Sequence, residues 1–426
     1  MDMSKVLPLI KRLTKRFARS GNIRRYLIVF AITVLLVAIG LIVGRHYLLV
    51  PVSPGNDTNS DTSNPDEVPP ILEATYYVDA NNGHDDNTGT AIDDPFKTID
   101  KAASVVQSGN LIYIRGGDYS LGSQLIFDKS GTLDNPITFE AYPGETVTIN
   151  GSDASLSGWQ PPLITVEADW NAFRNLTIQE SPGRGIYVAG NENVFEHIVT
   201  HHHGGSGIHV YEGSGTQLLY VTAYHNYDEL GIDPGQHADG ITISSGNNSI
   251  LVGCVSHDNS DDGFDTWEST NNTIENCVAY SNGYNEGNGN GFKLGPGGFN
   301  TVKRCIAYNN KNNGFDYNNG NGNAIEYCTA YDNNQYNFSD QANINTYKYN
   351  ISYDGDVVMS STAIQSRNTW NLGIGNPQFL STDPSSPDFL SLSKNSPCRG
   401  EGDNASDLGA LQYDEKVADL APSFYT

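Results

Sequence analysis

The sequence predicts an all-β fold, a right-handed parallel β-helix of about ten coils, closed by an N-terminal capping helix and an irregular C-terminal cap. Three observations carry this prediction. Segments opening on glycine recur along the chain: GIYV at 185, GIHV at 207, GITI at 240, GFDT at 263, GFKL at 291 and GFDY at 314, with NFSD at 337 as a weakened seventh. Their spacings of 22, 33, 23, 28, 23 and 23 residues leave room for two or three short strands per unit and for no helix. Two residue columns share the same phase, Cys254, Cys277, Cys305 and Cys328 in one and Asn226, Asn259, Asn282, Asn309 and Asn333 in the other. A unit of this size cannot bury an apolar face alone, so coils stack in parallel at ~4.8 Å, with the right-handed crossover that parallel strands prefer.

Residues 1–50 contain nine Lys or Arg against one Asp, a charge of +8, which leaves −33 for the remainder of a chain whose total is −25. An acidic body of that size excludes nucleic acid as a partner class and favours divalent cations. The basic flank precedes an apolar run, Leu27–Val43, that reaches the lower limit for spanning a bilayer. A cleavable signal and an uncleaved anchor both fit. The lack of a clear A-x-A site after the run favours the anchor, and either one exports the body. Residues 51–72, rich in Pro, Ser, Asn and Asp, read as a flexible tether. The β-helix is then expected over 73–415 and a polar tail over 416–426.

The body opens with TYYVDANNGHDDNTGTAIDDPFKTIDKAASVVQSG. Asp94 suits an N-cap and Pro95 a first helical position, Phe96, Ile99, Ala103 and Val106 share one face, and Gly109 suits a terminator. Such a helix would plug the first coil, because an open stack of strands must hide its end. The cysteines recur at strand period between apolar neighbours with no C-x-x-C pair, which predicts buried reduced thiols used as small hydrophobes. The asparagines predict amides bonded from coil to coil. From residue 355 the repeat fades into a segment with Pro377, Pro384, Pro387 and Pro397, which reads as the closing cap.

Aligning the units on their glycines places Asp239, Asp262, Asn290 and Asn313 in the column before the glycine. Thr242, Asp265, Lys293 and Asp316 form another column two residues after it. Strand alternation turns Phe264 and Phe292 inward and Asp265, Lys293 and Trp267 outward. One surface therefore carries Asp239, Asp261, Asp262, Asp265, Lys293 and an exposed tryptophan. Gathered carboxylates repel one another unless a cation binds, and Ca²⁺, with its about six to eight oxygen ligands, is the candidate. Plainer readings stand beside this one. Asp-Gly pairs are common turn formers, Lys293 between Asp265 and Asp316 can be a surface ion-pair ladder, and Trp267 can pack under a loop. Convergence on adjacent coils, beside the longest unit with its insert at 226–238, favours a site.

The segments HADG, NSDDGFDTW and GNGFKLG, in this order and spacing, resemble the family 9 polysaccharide lyases, exported pectate lyases built as right-handed parallel β-helices. The opening YYVDANNGHDDNTGTAIDDPFKTIDKA is similar to the start of many such exported proteins. The resemblance implies Ca²⁺ bound by Asp239, Asp261, Asp262 and Asp265, Lys293 as Brønsted base, and pectate as the acidic polysaccharide substrate, cleaved by β-elimination. The residues before HADG and the ITI after it depart from the family pattern, so subsite contacts and the preferred uronan stay open. Such a reaction needs a neutral Lys293, which a neighbouring dication favours and Asp265 and Asp316 oppose, so activity is expected at alkaline pH. Trp267 is expected to stack on a sugar face and the chain to act as a monomer. Three alternatives remain: a lyase of another uronan, a glycoside hydrolase using Asp261, Asp262 and Asp265 as acid and base, and a non-catalytic surface carbohydrate-binding protein.

Overall fold

The computed structural model describes residues 73–229 and 233–425. The basic flank, the apolar run at 27–43, the tether at 51–72 and part of the insert lie outside the described residues. Among the described residues no helix is long and apolar enough to cross a membrane.

Short runs of alternating apolar and polar residues form strands of two to five residues, and each strand pairs in parallel with its equivalents in the coils before and after. Three stacked parallel sheets result, one of twelve strands and two of ten. The sheet that matters for function runs from Leu125–Phe127 to Val357–Met359 and contains Ile241–Ser244, Phe264–Asp265, Phe292–Lys293 and Phe315–Asp316. Its register pairs Thr242 with Asp265, Asp265 with Lys293, and Lys293 with Asp316, as the glycine alignment predicts.

Inward positions repeat one residue type from coil to coil. Phe264, Phe292, Phe315 and Phe338 stack with ring centroids 4.7, 4.9 and 5.0 Å apart. Burying each such ring contributes about 1.5–3 kcal/mol, and a slip of one residue would turn the whole column to solvent. Cys254, Cys277, Cys305 and Cys328 are buried and free, as expected of thiols packed as small hydrophobes.

The asparagine column is a hydrogen-bonded ladder with one member reassigned. Asn226, Asn259, Asn282, Asn310, Asn333 and Asn337 pass amide to carbonyl at 2.8, 3.0, 3.0, 2.9 and 2.9 Å. Asn309, the expected member, is exposed in the left-handed region at φ 53°, and its neighbour Asn310 takes the buried place. A second ladder of Asn272, Asn300, Asn323 and Asn345 lies at another corner, where no column was expected. Replacing Asn282 by alanine removes the acceptor of the buried Asn259 N and breaks the side-chain rungs to Asn259 and Asn310. We expect a loss of about 1–3 kcal/mol for such unsatisfied buried groups, read as a lower urea midpoint with unchanged slope.

The N-terminal helix is shorter than expected. It spans Ile99–Val105, with Thr98 as N-cap accepting from Lys101 N. Asp94 instead accepts from Thr88, and Phe96 bridges Val78 in extended backbone. The cause is Asp85, whose Oδ1 takes the Lys97 and Thr98 amides at 2.9 Å each and holds this stretch out of the helix. Ile99, Ala102 and Ala103 are buried in the core, so the helix does plug the stack.

At the other end Trp370, in the short helix Thr369–Leu372, packs on Phe338 at 5.1 Å. The following segment folds back along the outer face of the third sheet. There Phe389, Leu390, Leu411, Val417 and Leu420 cover Val255, Val278 and Ile306. Residues 416–424 are therefore not a polar tail: Val417–Leu420 is a helix with buried Val417 and Leu420. Left bare, this face would expose three β-branched side chains on adjacent coils.

Candidate active site

Stacking brings Asp239, Asp262 and Asp265 together, with one carboxylate oxygen from each inside a 4.8 Å group. Each carboxylate is held from within the fold. Asp239 Oδ2 accepts from Thr242 Oγ1 at 2.6 Å, and its Oδ1 accepts from Asp262 N at 3.1 Å. Asp262 Oδ1 accepts from Asn290 N and Nδ2 at 2.7 and 2.8 Å. Asp262 Oδ2 and Asp265 Oδ1 are buried without a hydrogen bond. Asp261 lies on the same turn, where its Oδ1 accepts from Asn288 N at 2.9 Å.

Lys293 reaches back over this group. Its Nζ lies 2.9 Å from Asp262 Oδ2, an ionic contact, and donates to Asp265 Oδ2 at 3.0 Å. Trp267 is 43% exposed and presents its ring 5.6 Å from Nζ, so it sits where a sugar could reach it. Asp316 does not take part in the ion pairing. It accepts from Asn313 Nδ2 and Asn318 N, both at 3.2 Å, so the simple ladder of Asp265, Lys293 and Asp316 is replaced by a pair of contacts on one side of the lysine.

Electrostatically the cluster is over-charged. Burial pushes Asp239 up to about 6, with the nearby Asp262 charge adding to it and Lys293 opposing. Asp261 is pushed up to about 10 by burial, Asp262 and Asp239, and burial raises Asp316 to about 6. For Lys293 burial disfavours the charged form, but Asp262, Asp265, Asp239 and Asp261 together outweigh it and hold the ammonium well above its ordinary range. An all-oxygen donor set, two of whose buried atoms lack a hydrogen bond, fits a hard divalent cation.

A stability prediction follows from these shifts. Acids with raised values bind more protons folded than unfolded, so stability falls as pH rises from about 4 towards the raised values. The raised lysine keeps its contribution throughout that window, since it loses its proton only at higher pH. In chelator we therefore expect a lower melting temperature at about pH 8 than at about pH 5. Calcium should restore it most at the higher pH, by about 2.7 kcal/mol at a hundredfold excess over Kd. An increment independent of pH would contradict this account.

The same face carries residues that sequence reasoning missed. Tyr187 and His209 precede Thr242 in the outward column, and Arg184 lies two coils before Asp239 in the neighbouring column. Arg184 is buried and donates from Nη1 to Gln160 O at 2.8 Å, with its guanidinium 4.8 Å from the Trp159 ring. The insert joins this region: Gln160 Nε2 donates to His237 O at 3.2 Å, and Trp159 meets the His237 ring at 5.6 Å. On its other side Tyr227 packs edge-on against Tyr284 at 5.9 Å. Only the short GIYV and GIHV phrases mark these coils in the sequence, and no acidic motif singles them out.

Fold and site together define a parallel β-helix protein with an acidic, lysine-bearing face. The model of the Pel9A-like right-handed β-helix region matches residues 76–350. The chain belongs to this Pel9A-like family, and the resemblance to the family 9 polysaccharide lyases holds. Pectate lyase PEL9 of Emericella nidulans is 34% identical over 267 residues, covering 54% of this chain and 64% of the relative. Pectate lyase L of Dickeya dadantii is 33% identical over 238 residues, covering 52% of this chain and 55% of the relative. The chain thus spans between half and two thirds of the length of these relatives. The crystal structure of pectate lyase Pel9A superposes with a TM-score of 0.72 at 29% identity, over 80% of this chain and 96% of that one. A structure named rhamnogalacturonan lyase, 23% identical with a TM-score of 0.66 over 82% of this chain and 98% of that one, shares the fold.

Proposed function

We propose that this chain is a calcium-dependent pectate lyase that cleaves α-1,4-galacturonan by β-elimination. The observation that carries the reading is Lys293 Nζ, 2.9 and 3.0 Å from Asp262 and Asp265 beside the acidic trio, in a chain of the Pel9A-like family. The relatives' names, pectate lyase PEL9 and pectate lyase L, support the substrate class. The basic and apolar N-terminus supports export, which would bring the body to an extracellular polymer.

In this reaction Lys293 Nζ takes the C5 proton, which is weakly acidic because it is α to the uronate carboxylate. The electron pair forms the C4–C5 double bond, the C4–O4 bond breaks, and the departing oxygen takes up a proton. Asp239, Asp261, Asp262 and Asp265 are the residues that would hold calcium. Bound there, it would stabilise charge on the substrate carboxylate and offset the field that keeps Lys293 protonated. Trp267, exposed beside the lysine, offers a face for a sugar ring. A glycoside hydrolase reading uses the aspartates alone and leaves Lys293 without a role.

A panel of polygalacturonate, alginate and a neutral polysaccharide, each with calcium and with chelator, tests the proposal. We expect ultraviolet-absorbing unsaturated products from polygalacturonate with calcium alone. The same product from alginate would reassign the substrate, and activity in chelator would remove the metal from the account.

A further inference from the structure

Arg184 is a cation without a counter-ion. Arg184 is 8% exposed, its side chain makes no ion pair among the described residues, and its one side-chain hydrogen bond among them goes from Nη1 to Gln160 O. Nε is buried and has no partner. A buried guanidinium left in that state is destabilising unless something compensates it. Inside the protein Tyr187 and then Asp239 act against this burial, without ion-pair contact, and Asp239 belongs to the metal cluster.

The surroundings point to a ligand. His209, in the outward column beside it, donates to or accepts from Ser244 Oγ through Nε2 at 2.9 Å, while its buried Nδ1 is also unpartnered. Burial and the Arg184 charge hold this imidazole neutral. Tyr187 and Tyr211 stack at 5.9 Å on the same outer surface. Trp159, 60% exposed, lies across the guanidinium in a largely exposed segment and so presents an aromatic face to solvent beside it. Orphaned donors, a planar fork and aromatic faces are the chemistry that recognises a sugar bearing a carboxylate.

We propose that Arg184 binds the carboxylate of a second uronate, at a subsite several sugars from the residue that Lys293 deprotonates. The inference rests on the lyase reading. The outward column of Tyr187, His209, Thr242, Asp265 and Lys293 runs along the stack, and the coils of Arg184 and Lys293 are four strand spacings apart, ~19 Å. An oligosaccharide laid along this column reaches both residues only if it is long enough, which makes chain length the diagnostic variable.

The test compares native protein, Arg184→Gln and Arg184→Lys on tri- and hexagalacturonate with saturating calcium. The native protein should prefer the hexamer. In Arg184→Gln that preference in kcat/KM should fall about 10–100-fold, mainly through KM, as expected for losing a charge-assisted contact. Arg184→Lys, which keeps the charge without the fork, should fall between, and it serves if the glutamine variant does not fold. Equal loss on both oligomers, or a preserved hexamer preference, would overturn the subsite. No turnover of either oligomer by native protein would instead bring down the lyase reading and the subsite with it.

Discussion

Replacing Lys293 by alanine should lower kcat on polygalacturonate by about 10²–10⁴-fold, the usual contribution of a positioned general base. Lys293→Arg is the sharper form of the same test. Arginine preserves a positive charge facing Asp262 and Asp265, so a merely structural ion pair would survive it. It cannot give up its proton near neutral pH and so cannot act as a base. Both variants should show this loss, and Lys293→Arg should remain folded. In the native protein activity should rise with pH, because the surrounding carboxylates hold the ammonium well above its ordinary range and only the neutral amine accepts a proton.

Asp262→Asn should raise the calcium concentration for half-maximal activity by about 100-fold or more, since it removes one charged ligand from a set of hard oxygen donors. Asparagine keeps the shape, and its carbonyl can still accept from Asn290, so the loss reports charge rather than collapse. The substitution also removes one of the carboxylates that raise Lys293. At saturating calcium, the rise of activity with pH should therefore begin at lower pH than in the native protein. A calcium requirement equal to native would place the cation elsewhere.

The register of the site was legible because each coil repeats a glycine and a phenylalanine at fixed phase. Once Phe264 and Phe292 were turned inward, Asp265 and Lys293 had to share an outer column. Contacts made across long sequence separations were not legible. Asp85 caps Thr98 from thirteen residues away and moves the helix start, and no local propensity records this. The Asn309–Asn310 pair is degenerate in sequence, and only the left-handed turn at Asn309 decides which amide enters the ladder. Nothing local said that residues 389–421 cover Val255, Val278 and Ile306 on the outer face of the third sheet. Arg184 and Trp159 stayed hidden because the repeat is loose before Gly185, which left the phase of Trp159–Gln160 undefined.

The central claim is that this acidic, lysine-bearing face cleaves by elimination and not by hydrolysis. Mass analysis of the new chain ends formed from hexagalacturonate tests it most directly. The account predicts fragments whose masses sum to that of the parent, with the unsaturated ring at the new non-reducing end. Fragments that together carry one added water, with no ultraviolet-absorbing end, would contradict it.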